Sequence, residues 1–481
     1  MDTITEKYLD FIMDTTFESL PEEVIHETKR LILDSIGCAV AGLSTDKGKL
    51  SAELAIGLGG QSQSSIIGIG QKTSCSNAAF ANGELINALD YDAVLAGHTT
   101  PPVISAPLAL AECNGSSGKA LITAIALGME IAARFNQAFP RVLELVGVGP
   151  DKGKQMLWPV LGYSACIFGA TAGCGIVLGL DRDRMSCATG IAGYIAPVPC
   201  QGKWMRTSHT SMAKYGVMGW IAQGAVTSVL LAKSGYTGDD SVFDGEYGFW
   251  RYYNPAKWTP EVITESLGDK WYFKTVGYKL YPHCRRWHTL LDCFSEIIFQ
   301  NNLMPEDIDE IRLFVDEEIL SLPVWVNEDI KNPMDAQFSA AYGIAMVAHQ
   351  IKLLDWYDID TVTNSKIVKF MKKVKLETYP EWAEIALQFP GSRPASVEVV
   401  SRGQKFRIDR KYPKGDSLTI NGHATQDASS EDKKVEDSQL IEKFINNVSR
   451  VLSWNKIDSI VDSIMGLDQV PNVSEIIEQL R

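Results

Sequence analysis

Five segments in the first half of the chain combine helical apolar periodicity with a high density of Ala, Gly and Ser: 77–89, 118–135, 161–178, 184–195 and 216–233. Side chains this small let helix axes approach closely, so the pattern predicts a compact all-α bundle rather than a sheet protein. Pro21, followed by Glu22 and Glu23, suits the first turn of another helix, and Val24, Leu31, Ile32 and Ile36 continue one face of it. After about residue 270 the character changes. IRLFV (311–315), VEVV (397–400) and FRI (406–408) read as strands, the last two forming a hairpin through Ser401-Arg402-Gly403-Gln404, with helices over 335–350 and 362–373. A polar stretch from Pro413 to about Lys434 reads as a linker. Leu440, Ile441, Phe444, Ile445, Val448, Val451 and Leu452 then stripe a final helix, expected to return to the first bundle.

Charge narrows the function classes. The 481 residues carry 45 Lys and Arg against 59 Asp and Glu, a formal charge of −14, which argues against general binding to nucleic acid or an anionic membrane. Nine cysteines with no C-x-x-C pair read as buried thiols in a reducing compartment. The acidic N-terminus lacks a secretion pattern, and the low-charge run Ser164–Leu180 is short and weakly hydrophobic for a span. The expectation is a cytoplasmic protein, an organelle matrix being equally compatible. His283 and His288 stand five apart, off the spacing that places two ligands on one helix face, and no H-E-x-x-H occurs, so no metal is expected. GVGPDKGK (147–154) imitates a phosphate loop, but Val148 and Gln155 stand where Gly and Ser or Thr are needed.

Four places attract chemistry. In NGELINALDYDAVLAGHTTPP (82–102) a helix ends in Asp90 and Asp92 before a loop carrying His98. Acids near a helix C-terminus are disfavoured by the dipole, which would raise their proton affinity and suit a general base; a solvated helix end is the plainer alternative. Lys214, in HTSMAKYGVMGW, is a lone cation in an apolar stretch and either snorkels or serves a site. YKLYPHCRRWH (278–288) crowds Lys279, Tyr281, His283, Arg285, Arg286 and His288 together, as carboxylate recognition or a basic surface loop would. DAQFSAAYGIA (335–345) reads as a helix cap.

With these motifs in order, from LILDSIGCAVAG (31–42) through NGELINALDYD, LGLD (178–181), Lys214 with GYTG (235–238), KLYPHC (279–284) and AQFSAAY (336–342), the chain resembles the MmgE/PrpD family. Members of that family dehydrate, decarboxylate or epimerise small carboxylates without a metal or organic cofactor. The resemblance implies a mainly α protein: a large all-helical domain built from both chain ends (1–268 and 430–481), a smaller α+β lid domain (269–429), a cleft between them and a homodimer. It places catalytic roles on Asp90, His98, Lys214 and Tyr281, with Asp92, Trp158, Lys279, Arg285 and His288 binding substrate. Asn87, Trp158 and Met218 stand where the family usually has histidines, and Ala93 where an acid commonly follows D-Y-D. Losing imidazoles removes proton carriers near neutral pH. The implied activity is that of a lyase, a dehydratase or decarboxylase acting by proton abstraction next to a carboxylate of a di- or tricarboxylate-like substrate. An epimerase or isomerase, or an idle carboxylate-binding relative, are the alternatives.

Overall fold

The computed structural model describes residues 3–95, 97–139, 163–253, 258–389, 391–416, 419–420, 423–424 and 435–480. Trp158 and the 147–154 loop lie outside them. Ten helices lead the chain: α1 (Ile4–Asp14), α2 (Glu22–Gly42), α3 (Asp46–Leu58), α4 (Cys75–Asn87), α5 (Thr100–Asn114), α6 (Gly118–Ala138), α7 (Cys166–Leu178), α8 (Arg182–Ile195), α9 (Gln201–Trp204) and α10 (Met218–Lys233). Their starts follow local chemistry. Thr3 and Glu6 form a capping box on α1, and the side chains of Ser74, Ser117 and Asp181 cap α4, α6 and α8.

The small residues act as their density predicts. A Cβ on Gly169 of α7 would fall 2.2 Å from the Gly128 carbonyl oxygen of α6, so these helices cross backbone to backbone. A second such crossing matters more for function. A Cβ on Gly219 would lie 2.2 Å from the Phe80 carbonyl oxygen, and Gly83 sits directly against Gly219. That approach holds the N-terminus of α10 against α4 and sets the preceding residue pair, Lys214 and Tyr215, beside the end of α4.

The protein is mainly α, with a smaller α+β region. Strands β1 (Ser64–Ser65) and β2 (Lys72–Thr73) pair beside the bundle, while β3 (Ile308–Val315), β4 (Val374–Thr378), β5 (Ala395–Ser401) and β6 (Gln404–Arg410) form a four-stranded sheet in the order β4–β3–β5–β6. β5 and β6 form the expected hairpin, with Ser401 opposite Gln404 and Arg402 and Gly403 turning at φ 51° and 73°. Ile311, Leu313, Val397 and Val399 are buried, and the helix His288–Gln300 packs on β5 and β6. Strand β4, VKLET, was not expected. It is a short edge strand whose apolar–polar alternation runs over only four residues, and its parallel pairing with β3 identifies it. The single helix expected over 335–350 is two, Pro333–Phe338 and Ala340–Ala348, divided at Ser339, whose side chain caps the second.

A backbone bridge and the returning C-terminal helix both tie the later part of the chain to the bundle. Val94 and Gly277 exchange backbone hydrogen bonds of 2.8 and 2.9 Å, an isolated antiparallel bridge. The helix Asp437–Val448 packs on α2, where Lys443 pairs with Asp34 at 2.7 Å. No helix among the described residues is long and apolar enough to cross a membrane.

Candidate active site

Helix α4 stops because Asp90 turns left-handed, at φ 54°. The turn leaves the carbonyl of Ala88 without a helical partner and that of Asn87 with only the Asp90 N–H at 3.1 Å, and side chains from two distant segments complete them. Lys214, itself left-handed at φ 48°, donates to Asn87 O at 2.9 Å and Ala88 O at 3.3 Å. Gln337 donates to Ala88 O at 2.9 Å. A cation at a helix C-terminus is favoured by the dipole. Two non-glycine residues held left-handed in one buried site are the kind of backbone cost that surrounding structure must sustain.

The carboxylate of Asp90 gathers the remaining groups. Its Oδ2 accepts from Lys279 Nζ at 2.6 Å, and its Oδ1 lies 3.5 Å from both Lys214 Nζ and His98 Nε2. The Tyr215 hydroxyl donates to the same Oδ1. Lys279 arrives through the Val94–Gly277 bridge, which lays the 277–280 segment alongside the chain after α4. Tyr215 also stacks on the His98 ring, with centroids 4.4 Å apart.

Asp92 faces the other side of His98, 2.7 Å from Nδ1. Nε2 stands farther from its carboxylate, 3.5 Å from Asp90, so on a neutral ring the proton is assigned to Nδ1, while the Tyr215 ring covers the imidazole face. Asn87, where the family histidine was expected, completes the frame. Its amide nitrogen lies 3.1 Å from the Tyr215 hydroxyl and 3.4 Å from Asp92 Oδ1, while its oxygen accepts from Lys47 at 3.0 Å. Lys47 is paired in turn with Glu84 at 3.2 Å. Asp92 is also held through its neighbours: Lys443 donates to Tyr91 O at 2.9 Å, and Asp34 accepts from Ala93 N at 3.1 Å.

The electrostatics reverse one expectation. Burial alone would raise the Asp90 carboxyl, but Lys279, His98 and Lys214 outweigh it and hold the group well below the ordinary carboxylate range. Asp90 is therefore a firmly ionised anchor, not the raised-affinity base that the helix dipole suggested. Asp92 is likewise lowered, with burial opposed by His98 and Lys279. Burial lowers His98 despite Asp92 and Asp90, so its ring is neutral near pH 7. Burial also pushes Lys214 down to about 7, with Asp90 pulling the other way. The Tyr215 hydroxyl is driven well up by burial and by both aspartates.

Of the residues singled out in the sequence, Asp90, Asp92, His98, Lys214 and Lys279 share this cluster. Tyr281, Arg285 and His288 do not join its hydrogen bonds. The Tyr281 hydroxyl donates to Asp292 at 3.2 Å. His288, fully buried, lies 3.0 Å from His283 O, and Arg285 pairs with Asp416. The crowded 278–288 segment is thus mostly internal support, because its donors alternate in direction and find partners within the fold. Conversely, Gln337 lay in the stretch read as a cap, although Asn332 caps that helix and Asp335 instead accepts from Thr210 N at 2.7 Å. Tyr215 was missed beside Lys214; a phenol next to a candidate cation was the available signal.

A cavity of about 420 Å³ leads from the surface to this cluster, ending on Lys214, Tyr215 and Tyr163. Among the described residues no group of three or more His, Cys, Asp or Glu side chains is placed to hold a metal ion.

Comparison with known proteins finds relatives along nearly the whole chain. The chain is 23% identical to the cis-aconitate decarboxylase-like protein oryM of Aspergillus oryzae, over 98% of this chain and 96% of that one. It is 24% identical to human cis-aconitate decarboxylase, over 100% and 95%, and 23% identical to the Aspergillus terreus cis-aconitate decarboxylase, over 99% and 96%. Residues 6–261 match the model of the MmgE/PrpD N-terminal domain and residues 281–466 that of the MmgE/PrpD C-terminal domain. The two matches take in most of the chain in sequence order, and the protein belongs to the MmgE/PrpD family.

Proposed function

We propose that this protein is a cofactor-independent lyase that breaks a bond beside a carboxylate of a small substrate, by decarboxylation or dehydration. The observation that carries the reading is the buried Asp90 carboxylate, paired with Lys279 and set against Lys214 at the end of a cavity. The cis-aconitate decarboxylases among the relatives favour decarboxylation.

In that reading a substrate carboxylate meets the Lys214 ammonium. The bond to the departing carboxylate breaks, its electron pair passes into the conjugated remaining carboxylate, and carbon dioxide leaves. Lys214 stabilises the developing charge and returns a proton to carbon. Asp90 keeps Lys214 charged, and Tyr215 holds Asp90 in place. Dehydration would instead need a base for the proton next to the carboxylate, and the free Nε2 of His98, oriented by Asp92, suits that role better than Asp90 does. Tyr281 would act only from the lid side, through Asp292.

The deciding experiment is incubation with a panel of di- and tricarboxylates in deuterated water, followed by NMR. Loss of carbon dioxide with one deuteron gained at carbon is expected. Loss of water would identify a dehydratase. Exchange or inversion without bond loss would replace the lyase with an epimerase, and an inert panel would count against all three.

The pH profile tests the acid. A lysine lowered to about 7 is charged below that pH and neutral above it. If the ammonium is the active form, kcat/KM falls as pH rises through about 7, while the kcat limb moves to higher pH because bound carboxylate stabilises the charge. A kcat/KM profile flat from pH 6 to 9 would remove Lys214 from the proton transfer.

A further inference from the structure

The cavity is built for more than a carboxylate. Its inner end is Lys214, Tyr215 and Tyr163, but the walls leading outward are Trp204, Met218, Ile221, Pro197, Pro199, Val217 and Trp220. Trp204, Met218 and Ile221 are buried there, whereas Val217 and Trp220 stand exposed at the rim. Met218 is fully buried. Positive charge is scarce. Among the described lining residues the cations are Lys214 and Lys203, and His209 is engaged by Asp335 at 3.1 Å. Lys214 already shares its charge with Asp90 and two carbonyls.

A carboxylate set against Trp204, Met218 and Ile221, away from Lys214 and the exposed Lys203, would be desolvated with no cation beside it among the described residues, which is costly. An alkyl chain would be stabilised by the same surface. We infer that the substrate is a dicarboxylate bearing a short apolar chain, its carboxylates inward at Lys214 and its chain along Trp204, Met218 and Ile221.

The inference rests on the lyase reading for its head group, so its test separates the two. Binding of succinate, methylsuccinate, butylsuccinate and hexylsuccinate, which cannot react, is measured by calorimetry alongside citrate and tricarballylate. Turnover is measured in parallel on cis-aconitate and on 2-alkylidenesuccinates with methyl, butyl and hexyl chains, dicarboxylates in which the chain takes the place of one carboxylate of cis-aconitate. Affinity is expected to rise about threefold to fourfold per methylene up to the butyl or hexyl member, and kcat/KM to follow it. Val217→Asp and Trp220→Ser, both changes at exposed rim positions, should flatten that rise with chain length. Affinity that increases with the chain while no analogue reacts would uphold the apolar site and overturn the lyase. Turnover of cis-aconitate with no gain from any chain would uphold the lyase and overturn the apolar site. Tighter binding of citrate or tricarballylate than of hexylsuccinate would overturn it as well.

Discussion

Asp90→Asn is expected to remove activity by a factor on the order of 10² to 10⁴ and, unlike an ordinary active-site substitution, to destabilise the fold by about 3–5 kcal/mol. The second effect arises because Lys279 is completely buried and its charge is paired with the Asp90 carboxylate. An amide leaves that charge uncompensated in a site closed to water. The amide keeps one accepting oxygen, so either Lys279 or the Lys214 and Tyr215 donors face an NH2 group instead. The pH dependence gives the sign. Because the folded carboxyl lies well below its unfolded value, its contribution is complete above about pH 4 and fades as pH falls toward the folded pKa. The stability gap between wild type and Asp90→Asn should therefore narrow in acid. Adding Lys279→Met to Asp90→Asn removes the orphaned charge and should recover most of the stability but none of the turnover. Thermal unfolding between pH 3 and 7, with turnover at pH 7, checks every part. A variant that melts and reacts like wild type would dismiss Asp90 as the anchor.

Arg134→Met is expected to cost a similar amount, about 3–5 kcal/mol, with a different consequence. Arg134 on α6 is buried, pairs with Glu130 at 2.7 Å, and donates to the carbonyls of Val262, Glu265 and Lys270 at 3.0, 2.7 and 2.8 Å. Glu130 in turn accepts from Phe273 N at 3.0 Å. One guanidinium thus fastens the irregular 262–273 segment, which carries the chain from the bundle toward the sheet region, onto a single helix. Removing it leaves a buried carboxylate unpaired and several carbonyls without donors. Limited proteolysis should then cut within 262–273, and unfolding should begin there. The folded fraction should keep its specific activity within about twofold, because Arg134 touches no group of the site. An uncut segment with an unchanged melting temperature would show that packing alone holds it.

The two variants also mark how differently fold and site were written in the chain. Helices α4, α6, α8 and α10 were readable because apolar period and capping residues act within a few positions of each other. The hairpin of β5 and β6 was readable for the same reason, its turn lying between its strands. Strand β4 was not, since an edge strand with exposed Lys and Glu exists by virtue of a neighbour some 60 residues away in sequence. In the site, Asp90, Asp92 and His98 fall within one window and were picked out together. Lys214 stood out by contrast with its apolar surroundings.

Their chemistry was another matter. Local sequence placed Asp90 at a helix C-terminus and correctly implied that its charge needed a reason, but the dipole argument pointed to a raised proton affinity. Two ammonium groups from 124 and 189 residues away reversed the sign. Arg285 and His288 looked like substrate donors for the converse reason: spacing shows that donors are near one another, not which way each one points. Secondary structure and the identity of the reactive segments depend on interactions between near neighbours, and these can be read along the chain. The protonation of Asp90 and Lys214, the frame made by Asn87, Lys47, Lys443 and Gln337, and the apolar walls of the cavity depend on what is buried beside what. Burial and Coulomb energy act through space, so they were settled only when Gly219 met Phe80 and Val94 met Gly277.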